Sequence, residues 1–201
     1  MDTPAKRREI KDQMPQTRLD LVHTGSCTLL PDRHEMLRRM PANSRVAEIG
    51  VAFGDFSEMI LATCKPKLLY LVDAWSSERY RDGLRQIQEN FADLIEDETV
   101  IVMQGLSTEV LGDLAPSSLD WVYIDTNHSY QTTLSELELC DELVAPGGRI
   151  AGHDFCTGNV IDAVPYGVVE AVTKFCKESN WQFEFLTVES RGHFSFCLKR
   201  L

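Results

Sequence analysis

The sequence predicts an α/β fold of the Rossmann-like kind, with a seven-stranded, mostly parallel sheet, a C-terminal antiparallel hairpin and helices on both faces. Three observations predict it. From residue 45 onward, short apolar runs alternate with longer stretches of helical periodicity. The short runs are almost continuously apolar, as strands covered on both faces must be. The last two runs are separated only by the polar, glycine-containing residues 189–193, which is typical of a hairpin.

Five of the apolar runs are the predicted parallel strands, and the last two form the predicted hairpin. The parallel strands are residues 45–49, 68–72, 100–103, 121–124 and 149–151, and the hairpin strands are residues 183–188 and 194–198.

Apolar residues at three- and four-residue spacing predict the crossover helices at residues 56–63, 78–94, 109–114 and 129–143, and a further helix at residues 168–176. In the fourth crossover helix this periodicity puts Glu136 and Glu138 on the outer face. Pro146 and the two glycines after it stop that helix, because proline cannot continue a helix and glycine accepts positive φ.

Residues 1–40 do not follow the alternation and are predicted to form an N-terminal helical extension, separate from the main domain at residues 41–201. Its helices are expected at residues 4–14 and 32–40, the second started by Pro31 and Asp32. This extension and the loop after Asp154 are the segments available to cover a site, which suggests a lid or a contact in a homodimer.

Charge and cysteine usage exclude several classes of partner. The chain has 20 Lys and Arg against 31 Asp and Glu, a net charge of −11, which would repel a nucleic-acid backbone. Its 6 cysteines include no C-x-x-C pair, and no apolar leader or membrane-length apolar run is present. We therefore expect reduced thiols, a cytoplasmic location, and no nucleic-acid or membrane partner.

The first strand ends in the segment E-I-G-V-A-F-G, residues 48–54, directly before a helix. Glycines at 50 and 54 permit a tight turn in which backbone N–H groups approach a ligand. Asp73 ends the second strand, where a carboxylate can hold a ribose diol. An NAD(P)-dependent oxidoreductase is an alternative, but the loop lacks the third glycine of the dinucleotide fingerprint and the chain has no evident Tyr-x-x-x-Lys dyad.

Two further segments end neighbouring strands: I-D-T-N-H-S-Y at residues 124–130 and P-G-G-R-I-A-G-H-D at residues 146–154. Parallel strands bring their carboxyl ends to one edge of the sheet, where ligands bind. Four polar residues should therefore converge there: Asp125, His128, His153 and Asp154. The structural alternative is that Asp125 caps the following helix and that His153 and Asp154 support a loop.

The glycine segment with Asp73 resembles the first two motifs of class I S-adenosylmethionine-dependent methyltransferases, and the two later segments resemble the macrocin-type sugar O-methyltransferases. The resemblance implies S-adenosylmethionine as cofactor, with its methionine end lined by Glu48, Gly50 and Gly54 and its ribose bound by Asp73. It also places Ser107 near the adenine, whereas Trp75 is either a ribose and adenine contact or a core residue.

The reaction implied by the resemblance is methyl transfer to a hydroxyl of a small metabolite of the sugar or phenol type. His128 would be the general base, since a neutral imidazole suits that role. A magnesium ion or another divalent cation would be held by Asp125, His153 and Asp154, with Asp125 also counted as catalytic. Because imidazole is a poor ligand for Mg²⁺, His153 leaves the identity of the metal open.

His153 also keeps open a second interpretation, a catalytically silent domain that binds the cofactor as a sensor or acts as a partner subunit. The remaining histidines, His23, His34 and His193, are predicted to be ordinary surface or hydrogen-bonded residues. Residues 154–159 and 165–167 are predicted to form a flexible mouth of the site.

Overall fold

The computed structural model describes residues 3–201, and over this range the chain forms ten β-strands and nine α-helices. The strands are β1 (Thr28–Leu30), β2 (Arg45–Ile49), β3 (Leu68–Asp73), β4 (Val100–Gln104), β5 (Leu119–Ile124), β6 (Val144–Gly152), β7 (Gly158–Asn159), β8 (Val164–Pro165), β9 (Trp181–Thr187) and β10 (Phe196–Arg200). Met1 and Asp2, which belong to the predicted extension, lie outside the described residues.

The helices alternate with the strands of the main sheet. They are α1 (Pro4–Asp12), α2 (Leu21–Thr24), α3 (Arg33–Leu37), α4 (Asp55–Cys64), α5 (Gly83–Asn90), α6 (Ala92–Glu96), α7 (Ser107–Val110), α8 (Tyr130–Leu143) and α9 (Val168–Ser179), with a 3₁₀ turn at Leu111–Asp113. None of the helices in residues 3–201 combines the length and apolar character that a bilayer crossing requires.

The central sheet confirms the predicted fold class and has eight strands in the order β1-β9-β10-β6-β5-β2-β3-β4. Strands β6, β5, β2, β3 and β4 are parallel neighbours, and β10 lies antiparallel between β6 and β9. Within this sheet the strand that the sequence does not predict is β1, which pairs parallel with β9 at the edge. Three residues are too few for a recognisable period, so β1 is defined by its partner strand.

Local capping signals explain where several helices begin. The Asp32 side chain accepts a hydrogen bond from the Glu35 N–H at 2.8 Å, so α3 starts where the sequence predicts. Ser129 accepts from the Thr132 N–H at 3.2 Å and caps α8 in the same way. Helix α3 ends at Leu37, earlier than predicted, and Pro41 disfavours helical backbone in the residue before it.

The predicted helix over residues 78–94 is wrong as one element, because it divides into α5 and α6 at Phe91. The backbone of Phe91 leaves the helical region, with φ −112° and ψ 22°. Its ring is buried, and its Cε2 lies 3.3 Å from the position a Cβ would take on Gly54. Packing of Phe91 against the glycine loop therefore interrupts the helix.

The turn from α8 into β6 is tighter than predicted. Helix α8 stops at Leu143, but β6 starts at once with Val144 and includes Pro146. The pairing of β6 with β5 shifts register between Leu119 and Trp121. Gly147, with φ +81°, lies in the irregular part of β6 that this shift creates. The placement of Glu136 on the outer face of α8 is also wrong, since its exposed fraction is 0%.

Each face of the sheet carries an apolar core. One core includes residues of α8 and α9, such as Leu137 and Phe175, against Val122 of β5. The other includes Met36 of α3 and Ile60 of α4. The chain moves from β2 outward to β4 and then returns to β5, so the strand order reverses between β2 and β5. In open α/β sheets this reversal opens a crevice at the carboxyl ends of the strands.

Candidate active site

A crevice of about 610 Å³ lies at the carboxyl ends of β2, β3 and β5, a volume suited to a small-molecule ligand. Most of the predicted cofactor residues line it. They are Glu48, Gly50, Asp73, Trp75 and Ser107, together with Asp125 and His128 of the predicted reaction site. Gly54, His153 and Asp154 are not among the lining residues.

The glycine loop after β2 needs its two glycines for different reasons. Gly50 has φ +93°, and a Cβ there would lie 2.0 Å from the carbonyl oxygen of Asp125. Gly54 has φ +90° and precedes α4, and a Cβ there would lie 2.5 Å from Cδ1 of Ile87. The absence of a side chain at Gly50 thus allows the ends of β2 and β5 to approach each other, whereas its absence at Gly54 leaves space for Ile87 of α5.

Asp73 holds the backbone of this loop. Its Oδ2 accepts hydrogen bonds from the N–H groups of Val51 and Ala52, both at 2.9 Å. Its Oδ1 accepts one from the Trp75 N–H at 2.8 Å. The Trp75 indole is 4% exposed and its Nε1 donates to the Ala52 carbonyl at 2.8 Å. Trp75 is therefore both a buried core residue and part of the crevice wall.

Glu48 is a buried carboxyl group below the crevice floor, 1% exposed. The Ser57 hydroxyl donates to its Oε2 at 2.5 Å. Burial raises the pKa of Glu48 to about 8, against the lowering effect of the Ser57 hydrogen bond. The side chain is consequently protonated at neutral pH.

Asp125, His128 and Asp154 converge beside the crevice. The Nε2 atom of His128 lies 3.4 Å from Oδ1 of Asp125 and 2.7 Å from Oδ2 of Asp154. This Nε2 is buried and has no aligned hydrogen-bond partner among residues 3–201. The backbone of His128 has φ +62°. Its ring stacks on the Tyr166 ring, with the ring centroids 4.5 Å apart and an angle of 17° between the ring planes. Backbone geometry and stacking together aim the imidazole at the two carboxylates.

The electrostatics of this cluster favour a neutral imidazole. Burial lowers the pKa of His128, although the Asp154 carboxylate opposes the shift. Burial and the neighbouring Asp154 raise the pKa of Asp125 to about 7. At neutral pH the cluster can therefore accept a proton.

His153 does not join the cluster, although the sequence predicts it as a metal ligand. Its Nδ1 lies 2.9 Å from the Ser195 hydroxyl, and burial lowers its pKa to about 4. His193 takes the place beside Asp154 instead, because its Nδ1 contacts Asp154 Oδ1. Sequence reasoning gives His193 no role, since the two segments meet through long-range contacts: β10 pairs with β6, and the Phe155 N–H donates to the Phe194 carbonyl at 2.9 Å.

Two groups of side chains among residues 3–201 could hold a divalent cation. They are Asp125, His128 and Asp154, and separately Asp154, Cys156 and His193, and within each group the potential ligand atoms lie within 4.8 Å of one another. The first group fits a metal, since the imidazole of His128 and the carboxylates of Asp125 and Asp154 offer converging ligand atoms. Imidazole with carboxylates suits transition-metal ions better than Mg²⁺.

Ser107 contacts a buried acid that joins two loops of the crevice. Its hydroxyl donates to Glu136 Oε1 at 2.5 Å, and the Thr126 hydroxyl donates to Oε2 at 2.9 Å. Burial raises the pKa of Glu136 to about 7. Glu136 therefore connects the loop after β4 to the loop after β5.

The crevice is also lined by a cationic side chain that no sequence motif predicts. Arg33, at the start of α3, places its guanidinium 4.8 Å from the centroid of the Phe56 ring. No local motif marks Arg33, because it reaches the site only when α3 packs against α4.

Comparison with known proteins identifies the domain type. A family profile described as "Methyltransferase domain" matches residues 47–155. A search of the curated proteins found no significant match. Among solved structures, the pyocyanin biosynthetic protein PhzM aligns with a TM-score of 0.63 at 16% identity, over 84% of this chain and 54% of that chain. This chain thus spans little more than half of PhzM.

Two other solved structures align over most of both chains. Cofactor-bound Rv0187 from MTB has a TM-score of 0.62 at 18% identity, over 98% of this chain and 89% of that chain. Fibrillarin from Aeropyrum pernix, in complex with natively bound S-adenosyl-L-methionine, has a TM-score of 0.61 at 14% identity. This alignment covers 83% of this chain and 73% of the fibrillarin chain. At these identities the likeness concerns the fold.

Proposed function

This chain belongs to the methyltransferase-domain family, and on that premise we propose that it transfers the methyl group of S-adenosylmethionine to a hydroxyl of a small metabolite of the sugar or phenol type. The observation that carries the proposal is the buried Nε2 of His128 beside the crevice, 2.7 Å from the carboxylate of Asp154 and 3.4 Å from that of Asp125.

The crevice supports the choice of cofactor. Its volume of about 610 Å³ suits a nucleoside-sized ligand. Asp73 Oδ1 accepts a hydrogen bond from the Trp75 N–H and retains capacity for a ribose hydroxyl. The fibrillarin structure of similar fold contains S-adenosyl-L-methionine. We place the methionine end near Glu48 and Gly50, and the adenine near Ser107.

His128 performs the proton transfer in this proposal. The acceptor oxygen attacks the methyl carbon, the carbon–sulfur bond breaks, and S-adenosylhomocysteine is the second product. Nε2 takes the hydroxyl proton as the oxygen attacks, because burial keeps the imidazole neutral. The Asp154 carboxylate, 2.7 Å away, then stabilises the imidazolium that forms.

A divalent cation is an additional proposal. Asp125 and Asp154 would hold it, and when bound it would orient the acceptor hydroxyl and lower the pKa of that hydroxyl. His128 Nε2 has one lone pair, so it cannot bind the metal and accept the proton at the same time.

The second candidate is a catalytically silent domain that binds S-adenosylmethionine as a sensor. It is favoured by His153, an imidazole where the resemblance implies an acid, and one that is turned toward Ser195. An assay for methyl transfer separates the two candidates, since both bind the cofactor.

The test combines binding with turnover. Calorimetry with S-adenosylhomocysteine measures cofactor affinity, and transfer of a labelled methyl group is followed over a panel of sugars and phenols with added divalent cations. His128→Gln should abolish transfer and leave affinity for S-adenosylhomocysteine nearly intact, whereas exposed His34→Gln should change neither. Lack of binding by the unaltered protein would exclude the proposal. Equal loss of binding and turnover in His128→Gln would assign His128 to folding.

A further inference from the structure

Arg33 is the permanently charged cation of the crevice. Among the described residues that line it, Arg33 is the only lysine or arginine, whereas Glu48, Asp55, Asp73 and Asp125 are acidic. A crevice meant only for a cationic ligand gains nothing from a guanidinium on its wall. The presence of Arg33 therefore indicates a negative group on a ligand.

The guanidinium is positioned by packing and by a hydrogen bond to the Tyr123 hydroxyl rather than by an ion pair. Its Cζ lies 4.8 Å from the centroid of the Phe56 ring, and that ring packs on Tyr123 with centroids 4.1 Å apart. The Arg33 backbone N–H donates to Glu189 Oε1 at 2.9 Å, which ties the start of α3 to the loop after β9. Within residues 3–201 no carboxylate lies in ion-pair contact with the Arg33 side chain.

The nearby acids do not neutralise Arg33 fully. Neither Glu48 nor Asp125 forms an ion pair with the Arg33 guanidinium among residues 3–201, and Asp125 is in ion-pair contact only with His128. Burial also raises the pKa of Glu48 to about 8, even though the charge of Arg33 lowers it, so Glu48 is largely uncharged at neutral pH. The guanidinium keeps donors and charge available, in a geometry that matches a carboxylate.

The location of Arg33 indicates which part of the ligand it meets. The Phe56 ring under the guanidinium packs on Tyr123 of β5, and Asp125 of the proposed reaction site lies two residues after Tyr123. The proposed ribose contact Asp73 ends β3 and the proposed adenine contact Ser107 follows β4, and both strands lie on the other side of β2. Arg33 is thus at the end of the crevice where methyl transfer would occur.

We propose that Arg33 is a carboxylate-binding residue of the crevice, contributed by the N-terminal segment to the reaction end of the site. The inference rests on the proposed function. The carboxylate has two possible sources, the methionine portion of the donor or a carboxylate on the acceptor, and the chemistry of recognition is the same for both.

The first arm of the test compares two donors that differ by one carboxylate. S-adenosylmethionine and its decarboxylated analogue are titrated into the unaltered protein, Arg33→Gln, Arg33→Lys and the matched control Arg38→Gln, an exposed arginine paired with Glu35. If the donor supplies the carboxylate, Arg33→Gln weakens S-adenosylmethionine binding by about tenfold to a hundredfold and leaves the decarboxylated analogue unchanged. Arg33→Lys keeps the charge and loses less.

The second arm addresses the acceptor. The same proteins, saturated with S-adenosylhomocysteine, are titrated with 3,4-dihydroxybenzoate and with catechol, which differ by one carboxylate. If the acceptor supplies the carboxylate, donor affinity is unchanged and Arg33→Gln removes the preference for dihydroxybenzoate. Thermal unfolding of each variant shows whether it is folded.

The outcomes separate this inference from the proposed function. Unchanged binding in both arms, with Arg33→Gln folded and the unaltered protein binding the donor, overturns the role of Arg33 and leaves the proposed function standing. No donor binding by the unaltered protein overturns both. An equal loss for S-adenosylmethionine and its decarboxylated analogue also overturns the inference, because the loss would then not involve a carboxylate.

Discussion

Gly50 lies directly against the backbone of Asp125, so that a Cβ at residue 50 would be 2.0 Å from the Asp125 carbonyl oxygen. The Asp125 N–H in turn donates to the Ile49 carbonyl at 2.7 Å. The loop proposed to bind the cofactor and the loop proposed to carry the reaction are thus in backbone contact at the point where the strand order reverses.

Gly50→Ala should therefore destabilise the protein more than positive φ alone explains. Gly147→Ala is a matched control, since Gly147 also has positive φ, at +81°, but a Cβ there would have no neighbour within 4 Å. We expect Gly147→Ala to cost about 1 kcal/mol and Gly50→Ala clearly more, because backbone atoms must also move. Urea unfolding measures both. Similar losses for the two variants would contradict the contact between the loops.

The proposed base predicts a pH profile of activity. A base acts in its deprotonated form, so activity falls as pH drops through the pKa of His128. Burial lowers that pKa from the usual 6.5, which puts the limb of kcat/KM that His128 contributes below pH 6.5.

The Asp154→Asn substitution provides a second test of whether His128 is the source of the acid limb. The Asp154 carboxylate raises the pKa of His128 against the effect of burial. Removing its charge should move the acid limb to still lower pH, whatever happens to the maximal rate. Asp162→Asn, at an exposed carboxyl group on the same stretch of chain, should leave the limb in place. A limb that stays fixed in Asp154→Asn would exclude His128 as its source.

The features that the sequence predicts well are those encoded locally. The five parallel strands and the start of α3 at Asp32 follow from apolar runs and a capping residue. Convergence of Asp125 and Asp154 follows from parallel strands ending at one edge. In contrast, β1, Arg33 and His193 have no local signal. Each takes its position from a partner distant in sequence, such as the pairing of β1 with β9.

Chelation should reveal whether a metal takes part. If Asp125 and Asp154 hold a cation, treatment with EDTA lowers activity, and Mg²⁺ or Mn²⁺ restores it because carboxylates bind hard cations; better recovery with Zn²⁺ would indicate that the His128 imidazole is also a ligand. Asp125→Asn should weaken metal binding in calorimetry at least tenfold. His128→Gln distinguishes the two uses of Nε2: unchanged metal affinity supports its role as base, whereas lost affinity makes it a ligand. Full activity after EDTA would exclude the metal.

The buried carboxyl group of Glu48 predicts how stability varies with pH. Its ordinary pKa of 4.5 rises to about 8 in the folded protein, chiefly through burial. A raised pKa means that the folded state binds the proton more tightly, so the stabilisation is complete below about pH 4.5 and is lost as pH rises through about 8.

The side chain in Glu48→Gln cannot ionise and keeps a polar group beside Ser57. This variant should therefore not lose stability through residue 48 as pH rises. The stability of the variant relative to the unaltered protein should increase between about pH 4.5 and 8, by a few kcal/mol in all. Urea unfolding at several pH values measures the free energy of unfolding of both proteins. Taking the difference between them removes the contributions of Asp125 and Glu136, which the two proteins share. The exposed Glu109→Gln is the control and should show no such trend. A difference that is constant with pH would mean that Glu48 is not a buried, protonated acid in the folded protein.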